Sequence, residues 1–178
     1  MKLLIHTCCA PCLIYPLEEL RSNGHEIAGL FFNPNIHPFE EYNLRKAALE
    51  GLVRERGLQM DYLAYDPQEF LNAVGASLFK PERCCLCWRL RLKKTAQAAL
   101  QRGFEGFSTT LLVSPYQDHA LLKIIGEEVS KEEGITFYYW DFRPGFRLAQ
   151  DEARAKGIYR QKYCGCAYSK KERSNRIK

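Results

Sequence analysis

The chain has 178 residues, is 46% hydrophobic and 26% charged, and carries a formal net charge of +5. That composition fits one folded domain, residues 1–178, and excludes a disordered or collagen-like chain. No apolar run approaches the ~20 residues that a membrane-spanning helix needs, and the N-terminus lacks the pattern of a secretory leader, so no membrane partner and a cytoplasmic location are expected.

Chain order reads as strands alternating with helices. Leu3 to Ile5 is the first strand. Cys12 to Ser22 is a helix, with Leu13, Leu17 and Leu20 on one face, Pro11 near its start and Gly24 just beyond its end. "EIAGLFF" is the second strand, Pro38 to Arg56 a longer helix, "QMDYLAY" the third strand and "PQEFLNAV" a short helix. A helix follows from about Cys87 to Arg102, then "GFSTT" as strand four, "HALLKIIGEEVSKEE" as a helix and "ITFYYW" as strand five. The last 35 residues read as loop and short helix. This alternation predicts an α/β fold, a Rossmann-like parallel sheet with helices on both faces over residues 1–142. Residues 143–178 form an irregular, cysteine-containing basic segment. Ligands of such sheets bind beyond the carboxyl ends of the strands, where "HTCCAPC", "NPNIHP", "STTLLVSP" and "DFRPGF" fall.

The eight cysteines come in three tight groups: Cys8, Cys9 and Cys12; Cys84, Cys85 and Cys87; Cys164 and Cys166. In a reducing compartment such density points to metal binding or thiol chemistry, not structural disulfides. Cys84 and Cys87 form a CxxC suited to one metal or cluster. The adjacent pair Cys8–Cys9 is unusual for zinc but suits a cluster, whose different irons accept neighbouring thiolates. Two plus two supplies the four ligands of a 4Fe–4S cluster. The opposing reading, that some thiols are small buried hydrophobes, suits Cys85 best. Cys164 and Cys166 form a CxC, whose disulfide closes a small strained ring and is labile. It is a candidate redox relay, with a further metal-ligand pair as the other reading.

Charge is uneven. From Ala153 onward there are nine Lys or Arg and one acid, while the preceding residues hold 17 basic and 20 acidic ones. A basic end fits a polyanion such as RNA, or mere solubility.

Taken in order, "HTCCAPC", "NPNIHPFEEYNLRK", "RCCLCWRLRL", "STTLLVSPYQD" and "GIYRQKYCGCAYS" resemble the cobalamin-independent epoxyqueuosine reductases, the QueH family, from His6 to Ser169. The resemblance implies an adenine nucleotide alpha-hydrolase-like sheet and reduction of epoxyqueuosine to queuosine in tRNA, with the epoxide oxygen lost as water. It assigns the 4Fe–4S cluster to Cys8, Cys9, Cys84 and Cys87, and a redox-active disulfide to Cys164 and Cys166. The tRNA and an unidentified electron donor are the implied partners.

Epoxide removal takes two electrons and two protons, so a one-electron cluster needs a second store or two deliveries. The oxygen leaves poorly unless protonated or bound to a Lewis acid. An additional iron or other metal ion beside the cluster would draw on Cys12, Cys85, Asp118 or Asp141, although Cys12 also reads as a packed core thiol. Asn33, Asn35 and His37 offer polar groups to a substrate, or simply turn chemistry. Tyr116 is a candidate base-stacking residue. Arg143, Arg147, Arg160 and Lys162 are candidates for tRNA phosphates. Glu41 and Arg45 read as a solvated helical ion pair, and His6 as a core histidine. Two competing functions fit less well. An ATP-dependent tRNA-modifying enzyme on this fold wants a glycine-rich loop after strand one, where "TCCAPC" has no glycine. A zinc protein binding RNA leaves the CxC and the adjacent pair unexplained.

Overall fold

A computed structural model of the protein describes residues 1–176. Five parallel strands, β1 (Lys2–His6), β2 (Glu26–Phe31), β3 (Met60–Tyr62), β4 (Gly106–Thr109) and β5 (Thr136–Phe137), lie in the order β3-β2-β1-β4-β5. The central strand pairs Ile5 with Gly29 on one side and with Ser108 on the other. Leu3, Leu4, Ile5 and Phe107 are fully buried, as expected where helices cover both faces of a parallel sheet. The edge strands β3 and β5 are shorter than "QMDYLAY" and "ITFYYW" promised, because each has a partner on one side only.

The helices are α1 (Ala10–Ser22), α2 (Phe39–Glu55), α3 (Pro67–Val74), α4 (Glu82–Gln101), α5 (His119–Glu133), α6 (Phe146–Ala155) and α7 (Ala167–Arg176). Helix α1 packs against α2 and α6, while α4 packs against α3, α5 and the strands β1 and β4. Among the described residues, no helix is long and apolar enough to cross a membrane.

Three elements depart from the sequence reading. Helix α1 begins at Ala10, with Cys9 extended as its N-cap, because Pro11 is accommodated in a first turn whose N–H groups need no helical partner. Helix α4 begins at Glu82, so Cys84 and Cys87 are a helical turn apart and not a loop before the helix. The described part of the C-terminal segment holds two ten-residue helices, α6 and α7, with irregular chain between them. Helix α6 buries Ala149 and Ala153 and is led onto α1 by Gly145. A Cβ on Gly145 would sit 1.9 Å from the ring of Tyr15, so this close approach requires glycine. Ile177 and Lys178, the end of the basic segment, lie outside the described residues.

Candidate functional site

The strand order reverses between β1 and β4, so their carboxyl ends diverge into a crevice. His6 closes β1 there, with Nδ1 3.0 Å from Thr109 Oγ1 and Nε2 3.2 Å from the Phe32 carbonyl. Burial, aided by nearby Arg91, pushes its pKa down to about 3, so His6 is a neutral core histidine, as the sequence indicated. Beyond it, Cys8 donates its backbone N–H to Thr110 Oγ1 at 3.1 Å, and that hydroxyl faces Cys8 Sγ at 3.4 Å.

The first wall is three buried thiols. Cys8, Cys9 and Cys12 hold their sulfurs within 4.8 Å of one another, with Cys8 and Cys9 Sγ 3.8 Å apart. Hydrogen bonds from Cys12 and then Cys9 hold the Cys8 pKa well below its usual range. The same bond to Cys8 raises Cys12, and burial raises Cys9. Of the three, Cys8 is the thiol whose surroundings most favour the thiolate, and a metal cation binds thiolates in place of their protons.

The second wall is α4 and the third is the CxC loop. Cys8, Cys12, Cys84 and Cys164 line one cleft of about 1060 Å³. Burial raises Cys84 and pushes Cys87 up to about 12. Cys87 and Cys166 share a small apolar cluster with Phe70 and Val74. Cys166 Sγ accepts the backbone N–H of Ser169 at 3.3 Å, while Cys164 is exposed, with Gln117 Nε2 at 4.0 Å from its sulfur. All eight cysteines are free thiols. Cys85 is the outlier: after burial the charge of Asp118 does most to raise its pKa, and the other charges acting on it are Arg89 and Glu128, not another cysteine.

The loop after β2 is not part of the cleft lining. Asn33 and Asn35 are buried, and Asn33 donates to the Thr7 carbonyl at 2.9 Å, leaving the side-chain oxygen of each asparagine without a partner. His37 sets Nδ1 2.8 Å from the Asn35 carbonyl and donates its backbone N–H to the Gly165 carbonyl at 2.8 Å. Tyr163 also hydrogen-bonds the His37 carbonyl through its hydroxyl. The "NPNIHP" loop therefore holds the CxC loop. Gly165 has φ 138°, and a Cβ there would press within 3.2 Å of Asn35 Nδ2.

Glu41 and Arg45 correct the sequence reading. They are 8% and 2% exposed, not solvated, and Arg45 Nε donates to Glu41 Oε1 at 2.7 Å. The other Glu41 oxygen accepts from the Tyr159 hydroxyl at 2.6 Å. Arg45 Nη1 and Nη2 donate to the carbonyls of Cys164 and Tyr163, both at 3.0 Å.

Of the other candidates, Tyr116 projects from the cleft rim, 83% exposed, edge-on to Phe146. Arg147, Arg160 and Lys162 line the cleft. Asp118 does too, while capping α5 through the Leu121 N–H at 3.0 Å. Asp141 and Arg143 are outside the lining and form a two-pronged pair with each other. Thr110, Gln117, Gln161 and Arg91 were not singled out from sequence. Gln161 Nε2 lies 3.7 Å from Cys12 Sγ. Only Thr110 had a local signal, its place in "STT" at the end of a strand.

In overall shape the chain is similar to a protein of Methanocaldococcus jannaschii described as a predicted subunit of tRNA methyltransferase, with TM-score 0.58 and 10% identity over 86% of this chain and 74% of that one. That likeness extends the α/β architecture beyond this chain. Curated relatives share much more sequence. The epoxyqueuosine reductase QueH of Dehalococcoides mccartyi is 36% identical, covering 97% of this chain and 94% of the relative. That of Thermotoga maritima is also 36% identical, covering 96% and 91%. The family model for epoxyqueuosine reductase QueH matches residues 3–172, a span that holds all three cysteine groups and every cysteine of the cleft, so the chain belongs to the QueH family of epoxyqueuosine reductases.

Proposed function

We propose that this protein reduces the epoxide of epoxyqueuosine in tRNA to the cyclopentene of queuosine, releasing the oxygen as water. One observation carries the reading: thiols from three distant segments, Cys8, Cys12, Cys84 and Cys164, open onto a single cleft at the switch point of the sheet. Family membership supplies the substrate class. Residues 1–142 form the sulfur-lined core and 143–178 the basic segment, whose CxC loop closes on that core, one working unit in the cytoplasm, where thiols stay reduced.

The donor set fits an iron–sulfur cluster. Its ligands are soft sulfurs, and three of the buried thiols already hold their sulfurs within 4.8 Å of one another. Cys8, Cys9, Cys84 and Cys87 would hold a 4Fe–4S cluster. Cys12 and Asp118, both facing the cleft, would serve an additional metal ion, since Asp141 is engaged by Arg143. Such a cluster supplies electrons one at a time at low potential.

The protein's own groups do the rest. The exposed Sγ of Cys164 and the buried Sγ of Cys166 give two electrons and two protons on closing to a disulfide. That balances the loss of one epoxide oxygen as water and the gain of one carbon–carbon double bond. An external electron donor then restores the dithiol. Tyr116 offers a stacking face to a nucleotide at the cleft mouth. Arg147, Arg160 and Lys162 offer charge to phosphates.

The test is to purify the protein anaerobically, assay iron and sulfide, and incubate it with dithionite and tRNA containing epoxyqueuosine. Nucleoside mass spectrometry should show loss of one oxygen. A colourless protein holding one zinc and leaving the nucleoside unchanged would overturn the reading in favour of a non-catalytic RNA-binding protein.

A further inference from the structure

Arg91 lies on α4, four residues beyond Cys87 and seven beyond Cys84, so the three share one helical face. It is 2% exposed. Its Nε donates to the Cys87 carbonyl at 3.2 Å, and its Nη2 is buried with no hydrogen-bond partner. The other two deeply buried arginines each have a carboxylate: Arg45 has Glu41 at 2.7 Å and Arg83 has Glu172 at 2.7 Å. Arg91 has none within ion-pair distance among the described residues. A buried cation without a counter-charge costs several kcal/mol. Near enough to act on its charge are Cys87, Cys164 and Cys8, one thiol from each cysteine group.

We propose that Arg91 is a positioning residue whose fixed positive charge balances the sulfur centre and holds up its reduction potential. The inference rests on the reading that Cys8, Cys9, Cys84 and Cys87 hold an iron–sulfur cluster. Accepting one electron from a reductant adds one negative charge to such a centre and makes or breaks no bond. A cation fixed beside it in a low-dielectric interior stabilises the reduced form. The unpartnered Nη2 and the missing carboxylate are then the expected state of the chain's own groups.

The experiment compares wild type with Arg91→Met, Arg91→Gln and Arg91→Lys after anaerobic reconstitution. Methionine is apolar and of similar length, and replacing a buried ion by a well-packed apolar group is often neutral or stabilising. The readouts are iron and sulfide content, circular dichroism, and the reduction potential from an EPR-monitored titration with dithionite. The Met and Gln variants should disfavour the reduced form by at least about tenfold, ~59 mV for a one-electron couple, while Lys stays near wild type. Loss of the cluster from Met and Gln alone also supports the charge role. Unchanged potentials in Met and Gln overturn the proposal, as does a Lys shift equal to theirs, or cluster loss from all three with the fold intact. If neither neutral variant folds, Lys decides: a potential near wild type supports the proposal and a shift beyond the tenfold mark overturns it. A wild-type protein without iron and sulfide overturns the cluster reading itself, and is seen before any substitution is compared.

Discussion

Arg45 Nη1 donates to the Cys164 carbonyl at 3.0 Å, tying the second helix to a loop 119 residues further along the chain. Because Glu41 holds the other edge of the same guanidinium, the CxC loop is docked by a buried charge and not by surface contacts. Arg45→Gln strands Glu41 in the interior and removes hydrogen bonds to two carbonyls. The expected loss of stability is about 3–5 kcal/mol, read by urea denaturation. Alkylation of Cys164 should also quicken as its loop loosens. An unchanged midpoint and alkylation rate would remove Arg45 from the docking.

Serine at Cys8, Cys9, Cys84 or Cys87 should lower iron and sulfide content, because an alcohol is a poor iron ligand at neutral pH. Cys85→Ser should leave both at wild-type levels, since that thiol is one position off the helical face of Cys84 and Cys87, and the charges around it are those of Asp118, Arg89 and Glu128 and not of another cysteine. Elemental analysis checks both. Full content in all four single variants would redraw the ligand set, with Cys12 first to be reconsidered because its sulfur lies within 4.8 Å of Cys8 and Cys9.

Replacing Cys164 and Cys166 together by serine should spare the cluster but abolish or severely slow multiple turnover. The pair holds two electrons, the number one epoxide consumes. Iron analysis beside steady-state kinetics separates the outcomes. A normal rate removes the relay from the mechanism, while cluster loss makes the two residues metal ligands.

Neutralising Arg147, Arg160 and Lys162 should weaken tRNA binding at low salt and flatten its dependence on salt. Each lost phosphate contact lowers the slope by ~0.7 if the contacted strand is single. Arg143→Gln should do less, because Arg143 is already paired with Asp141 and lies outside the cleft lining. Binding titrations at several salt concentrations decide it, and an identical slope in the triple variant would assign these charges to solubility.

Much of the architecture is legible in the sequence, for local reasons. A parallel strand buried on both faces must be a short apolar run, as in "LLI", and a helix lying on it must repeat its apolar residues every three or four positions. Strand–helix alternation then places "HTCCAPC" and "STTLLVSP" at carboxyl ends, where a crevice follows from topology. The thiol groups are likewise visible because their density has no ordinary structural use. The family resemblance drawn from those motifs agrees with the family match.

Tertiary structure alone decided which charges are buried. On α2, Glu41 and Arg45 have the spacing of an exposed ion pair, and Arg91 sits among other arginines and lysines of α4. Nothing local distinguishes them. Glu41 and Arg45 are interior because the CxC loop and Tyr159 return over them from the far end of the chain, the loop held by its backbone carbonyls. Helical periodicity records which residues face the sheet, not which residues a distant segment later covers. The join of Cys12 to Cys8 and Cys9 has the same character. It depends on the helix starting at Ala10, where an extended Cys9 and Pro11 set the turn that swings the third sulfur back toward the first.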